Sequence, residues 1–158
     1  MLNMSNKICF DLDGTLVDFY GYPNWRELVD NKNPTPYLMA EPLVDMTELV
    51  RLLELAQKQG YEICITTWLS KDADEDFKSI CRLAKRVWLN SYNVPYDHFH
   101  GLQYGTLKAK AVLKYLKKGE TAILFDDDKR VRDTWYIGAT YNPTTCDIIA
   151  VLKNLLWE

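Results

Sequence analysis

Acid, hydroxyl and amine groups recur at the ends of short apolar runs in this chain. Lys7–Asp11 (KICFD) closes on Asp11, with Asp13 and Gly14 directly after it. Tyr61–Thr66 (YEICIT) closes on Thr66, followed by Thr67 and Trp68. Thr121–Asp126 (TAILFD) closes on Asp126, followed by Asp127 and Asp128. Lys108 and Lys110 open a basic amphipathic stretch. Carboxylates gathered at one place repel, so their convergence calls for a cation. Few ligands, all of them hard oxygens, suit Mg²⁺.

Convergence needs a scaffold, and the hydrophobic pattern supplies one. The apolar runs read as buried parallel strands, and amphipathic segments alternate with them. Asp45-Met46-Thr47-Glu48 has the spacing of a helix-capping box, and Leu49, Val50, Leu52, Leu53 and Ala56 give the helix an apolar face that ends at Gly60. A second helix is predicted from Asp72 to about Tyr92, and a short strand over His98–Gln103. Further helices are predicted over Lys108–Lys118 and Val131–Tyr136, a last strand over Gly138–Tyr141, and a C-terminal helix opening at Thr144 or Thr145. The class is α/β: a Rossmann-like, three-layer fold with a central, mostly parallel sheet. Ligands of such sheets bind beyond the carboxyl ends of the strands, where the acidic residues stand. Residues 15–42 are aromatic, proline-rich and too long for a simple βα connection, so they read as a functional insertion after the first strand.

At 158 residues the chain has the length of one domain, taken as 1–158, and its 47% hydrophobic content excludes a disordered protein. A net charge of −3 argues against a broad basic face for duplex nucleic acid. No apolar run reaches membrane-spanning length, and the N-terminal MLNMSNKICFDLDG lacks the pattern of a secretory signal. Cys9, Cys64, Cys81 and Cys146 are widely spaced and form no metal-binding pair, which reads as buried thiols in a reduced, cytoplasmic protein. His98 and His100 lack ligand partners nearby and read as strand-end residues.

FDLDGTLVD at Phe10–Asp18 resembles the first motif of the haloacid dehalogenase superfamily, DxDGTL. The other motifs follow in that family's order: ICITT at Ile63–Thr67, Lys108, and ILFDDD at Ile123–Asp128. The resemblance covers nearly the whole chain and implies a Mg²⁺-dependent phosphomonoesterase that works through an aspartyl-phosphate. By that resemblance Asp11 is the nucleophile and Asp13 the general acid and base. Thr66 grips phosphate oxygens, with Thr67 beside it, and Lys108 offsets the gathered negative charge. Mg²⁺ sits between Asp11, the backbone carbonyl of Asp13, and Asp126, while Asp127 holds a metal water or orients Lys108. Lys110, two residues on, competes with Lys108 for the lysine role, and Asp128 competes with Asp127. Read without the resemblance, DxD is a turn after a strand, Thr66 a common strand residue, and the lysines a solvated face.

The resemblance also bears on substrate. A cap in residues 15–42, a hairpin flap with a small insertion, is minimal and leaves the site open. Tyr20, Tyr22, Trp25 and Tyr37 crowd it, and Trp68 follows the threonines. Such rings either stack a base or pack the insertion onto the body. The first two motifs are similar to those of 5′(3′)-deoxyribonucleotidases. Asp126, Asp127, Trp135, Ile137 and Gly138 are similar in order to the 3′-phosphatase domain of phage polynucleotide kinase. Both imply a phosphorylated small molecule of nucleotide type, or a nucleic-acid end. A catalytically idle member that binds a phosphorylated ligand or protein is the remaining alternative, against which the intact carboxylate set argues.

Overall fold

Five apolar segments pair side by side: β1 (Met4–Phe10), β2 (Glu62–Trp68), β3 (His98–Leu102), β4 (Glu120–Phe125) and the two-residue β5 (Thr140–Tyr141). In a computed structural model that describes residues 4–157, they form one all-parallel sheet of order β3-β2-β1-β4-β5. Residues 1–3 and 158 of the expected domain lie outside the described residues. The helices are α1 (Trp25–Asp30), α2 (Thr35–Met39), α3 (Met46–Lys58), α4 (Glu75–Ser91), α5 (Lys108–Leu113), α6 (Lys129–Asp133) and α7 (Ile148–Leu155). Among the described residues no helix is long and apolar enough to cross a membrane.

Strand alternation sorts the core into two layers. Ile8, Phe10, Ile63, Ile65, Ile123 and Phe125 share one cluster with the buried faces of α3, α4 and α7. Cys9, Cys64, Ala122 and Leu124 share the other with Ala109 and Val112 of α5 and with Val131 and Trp135. The register is the reason: Cys9 lies opposite Cys64 on one side and Leu124 on the other, so like faces align across three strands. All four cysteines are free, and three of them are buried.

Helix starts are set by carboxylate caps. Asp45 accepts from Glu48 N at 3.2 Å, and Asp74 accepts from Phe77 N at 2.8 Å. The second helix therefore begins after Asp74 rather than at Asp72, whose φ of 63° is incompatible with a helix. The C-terminal helix starts at Ile148, because Asp147 caps Ile149 N at 2.9 Å, while Asn142 Oδ1 ties Thr144 into a turn. The basic helix stops at Leu113, five residues short of the expected Lys118; Gly119 turns the chain with φ of 85°, and Glu120 takes the Lys117 N–H.

The insertion carries two short helices, α1 and α2, and isolated bridges of Val17 with Asp13 and with Pro42 close its neck. No extended hairpin forms among its residues. It is fastened to α4: Trp88 Nε1 donates to Ala40 O at 2.8 Å, and Tyr37 is buried beneath Phe19. Trp135, Ile137 and Gly138 prove to be packing devices for the β5 edge. Trp135 donates to Ala122 O at 2.9 Å, and a Cβ on Gly138 would meet that same oxygen at 2.0 Å.

Candidate active site

The sheet reverses its order around β1, because β2 and β3 add on one side of it and β4 and β5 on the other. A crevice opens at such a point beyond the strand ends. Asp11 follows β1 and Asp126 follows β4, and the two strands are hydrogen-bonded neighbours up to Asp11 N to Phe125 O at 3.0 Å. Ligand atoms of Asp11, Asp126 and Asp127 all lie within 4.8 Å of one another.

Lys108, the first residue of α5, reaches into this cluster. Its Nζ lies 3.1 Å from Asp11 Oδ1 and 2.7 Å from Asp126 Oδ2, and all three side chains are buried. Burial works against the ammonium charge, but Asp11 and Asp126 outweigh it and hold the Lys108 pKa above its ordinary value. Burial, then the charge of Asp11, pushes Asp126 up to about 7 and Asp127 up to about 8. One lysine is too little positive charge for three carboxylates.

Thr15 stitches the cluster together. Its hydroxyl donates to Asp11 Oδ2 at 3.3 Å and accepts from Asp127 N at 3.2 Å. Gly14 permits the approach: φ is 83°, and a Cβ there would sit 2.3 Å from Asp127 Oδ2. Asp128 caps α6 and pairs with Arg130 at 2.7 Å, so it stands outside the carboxylate group.

Asp13, beside the cluster but outside its set of close carboxylates, is held from the other face of the sheet. Lys85 of α4, with 2% side-chain exposure, donates to Asp13 Oδ2 at 2.9 Å, to Thr67 Oγ1 at 2.7 Å and to Trp68 O at 3.1 Å. Burial nonetheless raises the Asp13 pKa above the ordinary carboxylate value, against the pull of Lys85.

A cavity of about 340 Å³ lies over these groups, lined by Asp11, Asp13, Asp126 and Asp127 and roofed by Tyr20 and Trp25 of the insertion. Trp68 also lines it, its ring 5.0 Å from Tyr104 and its Nε1 donating to Thr106 O at 2.9 Å. Arg130 lies 5.4 Å over the Trp68 ring. A larger groove of about 890 Å³, between Leu43–Glu48 and Pro143–Lys153, reaches Gly14 and Thr15 but none of the carboxylates of the cluster.

The fold has solved counterparts. A haloacid dehalogenase-like family hydrolase from Streptococcus pneumoniae superposes with a TM-score of 0.50 at 18% identity, over 94% of this chain and 99% of that one. A chain of a Pnkp1/Rnl/Hen1 complex and one of a Pnkp1/Rnl/Hen1 RNA repair complex superpose with TM-scores of 0.57, at 19% and 21% identity, each over 87% of this chain. The fold is haloacid dehalogenase-like. The chain spans 46% and 42% of the two repair-complex chains, less than half of either. No family model and no curated protein sequence matches it.

On this haloacid dehalogenase-like frame, the expected residues separate. Asp11, Lys108, Asp126 and Asp127 come together, with Asp13 beside them and Trp25 and Trp68 on the cavity walls. Lys110 does not join them: it is exposed on α5 and absent from the cavity wall, because two residues along a helix turn a side chain to the opposite side. Thr67 is buried with its hydroxyl engaged by Lys85, so it supports a side chain rather than lining the cavity. Asp127 bonds to Thr15 and makes no ion pair with Lys108, so it does not orient that lysine. Thr66 is wholly buried, and its hydroxyl has no partner among the described residues. Thr15 and Lys85 went unassigned in the sequence. Thr15 lies inside DGTL and was open to discovery; Lys85 sits mid-helix among other charges, with no motif to mark it.

Proposed function

We propose that the chain is a Mg²⁺-dependent phosphomonoesterase acting on nucleotide-type phosphate esters through an aspartyl-phosphate on Asp11. The observation that carries this reading is the buried cluster of Asp11, Asp126 and Asp127 around Lys108 at the floor of a cavity. The donors fit the cation: octahedral Mg²⁺ at ~2.0–2.1 Å sets its oxygen ligands about 2.9–4.2 Å apart. Oxygens already within 4.8 Å need only small shifts to reach that. The Thr66 hydroxyl, wholly buried and outside the cavity lining, adds no support to a phosphate grip.

Asp11, Asp126 and Asp127 would hold Mg²⁺, which when bound supplies charge neutralisation for a phosphoryl group. Asp11 is the nucleophile because it alone combines the β1 end, the cluster and the cavity. Lys108 keeps the Asp11 and Asp126 carboxylates close despite their repulsion and adds positive charge where phosphate oxygens gather. Asp13 passes a proton to the leaving oxygen and recovers one from water, a service worth about 10²–10⁴ in rate. Its raised pKa favours the protonated start of that cycle.

The walls support the substrate class. Trp68 with Tyr104, and Tyr20 with Trp25, line the cavity as two ring pairs, and such rings can hold a nucleobase at ~1–3 kcal/mol each. A volume of about 340 Å³ sits at the low end of small-molecule sites, which favours a mononucleotide. A nucleic-acid 3′ end is the second reading, favoured by the fold's likeness to repair-complex chains and by Arg130 and Lys71 on the rim. Four free cysteines support a reducing, cytoplasmic setting.

Phosphate release from a panel of nucleotides, 3′-phosphorylated oligonucleotides and sugar phosphates, with Mg²⁺ and with chelator, tests the reading. Metal-dependent turnover favouring nucleotides is the expected result. Turnover undiminished in chelator, or sugar phosphates preferred over every nucleotide, would overturn it.

A further inference from the structure

Besides Lys108, two lysines are buried among the described residues, and Lys7 pairs with Glu62 at 2.7 Å, which leaves Lys85 to be explained. Lys85 enters from α4, on the face of the sheet opposite α5, and is as deeply buried as Lys108. A buried lysine is costly unless its charge and its donors are matched. An ammonium has three N–H donors. All three are spent, on Asp13 Oδ2, Thr67 Oγ1 and Trp68 O, and the Tyr37 ring lies 5.0 Å from Nζ. A lysine so saturated cannot reach a phosphate without giving up a bond.

Among the described residues its one charged partner is Asp13, which lines the cavity. Lys85 occupies Oδ2, while Oδ1 has no hydrogen bond to protein among the described residues. Two of the three anchors of Lys85 belong to the end of β2, a rigid strand, so the grip on Asp13 is referred to the sheet rather than to a loop. The insertion adds the fourth side through Tyr37, and Trp88, one turn further along α4, binds Ala40.

We propose that Lys85 is the positioning residue of Asp13, fixing Oδ2 so that Oδ1 alone exchanges the proton during turnover. This rests on the phosphatase reading. As an Asp11 carboxylate oxygen bonds to phosphorus, the bond from phosphorus to the leaving oxygen breaks and its electron pair stays on that oxygen. The proton on Asp13 Oδ1 moves there. Water then attacks phosphorus and gives its proton to Oδ1, while the bond from phosphorus to Asp11 breaks and its electron pair restores the carboxylate.

Leaving-group dependence separates this role from a merely structural one, because an activated leaving group needs little protonation. The readout is kcat/KM of the full chain with Mg²⁺ on phenyl phosphate and on para-nitrophenyl phosphate. For Lys85→Met the expected loss is about 10²-fold on phenyl phosphate and under about 5-fold on the nitrophenyl ester, since misplacing a catalytic group by ~1 Å costs that much. Placed in an Asp13→Asn background, Lys85→Met should cost little more. Thr67→Val, close in shape and less disruptive, should show the same pattern at a few-fold scale, and keeps the idea testable if Lys85→Met does not fold. Equal losses on both esters, or losses that multiply with Asp13→Asn, overturn the positioning role alone. If Asp13→Asn itself shows no leaving-group dependence, Asp13 is not the acid and the proposal falls with that assignment.

Discussion

Lys108 and Asp126 form an ion pair of 2.7 Å in which the carboxylate is fully buried and the amine nearly so. The pair spans two elements of one βαβ unit, joining the start of α5 to the end of β4, the next strand in the chain. Removing one partner of a buried pair typically costs ~3–5 kcal/mol, because the other charge is stranded. Lys108→Met should therefore lower stability by about that much and abolish turnover, while Lys110→Met changes neither. Thermal melts and phosphate-release assays on the two variants check this.

Asp11→Asn should remove turnover completely, since an amide is a poor nucleophile. The fold should persist, because Asp11 sits past the last residue of β1 and the substitution preserves shape. Measurable hydrolysis by a folded Asp11→Asn protein would exclude Asp11 as the nucleophile.

Burial and Asp11 push Asp126 up to about 7 and Asp127 up to about 8, both above the ordinary carboxylate value. Between roughly pH 4 and those values the folded, metal-free protein holds protons that the unfolded chain has released. Linkage then makes stability fall as pH rises through that window. In chelator, Tm should drop from about pH 5 to about pH 8, and saturating Mg²⁺ should shrink that drop, because the cation binds the ionised carboxylates. A chelated protein whose Tm climbs steadily over the same range would contradict the argument.

Gly14→Ala should injure the proposed Mg²⁺ site from a residue outside its ligand set. The left-handed φ of 83° disfavours any side chain, and the new Cβ would displace the Asp127 carboxylate. Strain of this kind costs on the order of 1–3 kcal/mol. Mg²⁺ affinity, read by calorimetry, should weaken more for Gly14→Ala than for Gly105→Ala, where φ is similar but the space is open.

Trp68→Ala should raise KM for nucleotides by about 5- to 150-fold, the equivalent of one lost stacking contact, with a smaller change on an aryl phosphate. Trp25→Ala should act in the same direction, because that ring also lines the cavity. Nucleotide KM values untouched by either change would remove the base-stacking role.

The sheet, the two-layer core and the carboxylate pair at the strand ends were legible because each is written in local pattern: apolar runs closing on acid at Asp11 and Asp126. Boundaries set by a single cap were read less well. Asp74 and Asp147 decide their helices through one carboxylate each, and several neighbouring residues looked as eligible. Lys85 was illegible for a different reason: its meaning comes from Asp13, Thr67 and Trp68, and only the packing of α4 on β2 brings those within reach.

The fastening of the insertion to α4, through Trp88 to Ala40 and Tyr37 over Lys85, has a consequence for how substrate is chosen. A roof pinned to a core helix has no hinge at that seam. Discrimination there would follow lock-and-key logic, with the ring-lined cavity acting as a fixed gauge of ligand size. Binding would carry little ordering entropy for the protein, and association should approach a single kinetic phase with no isomerisation step.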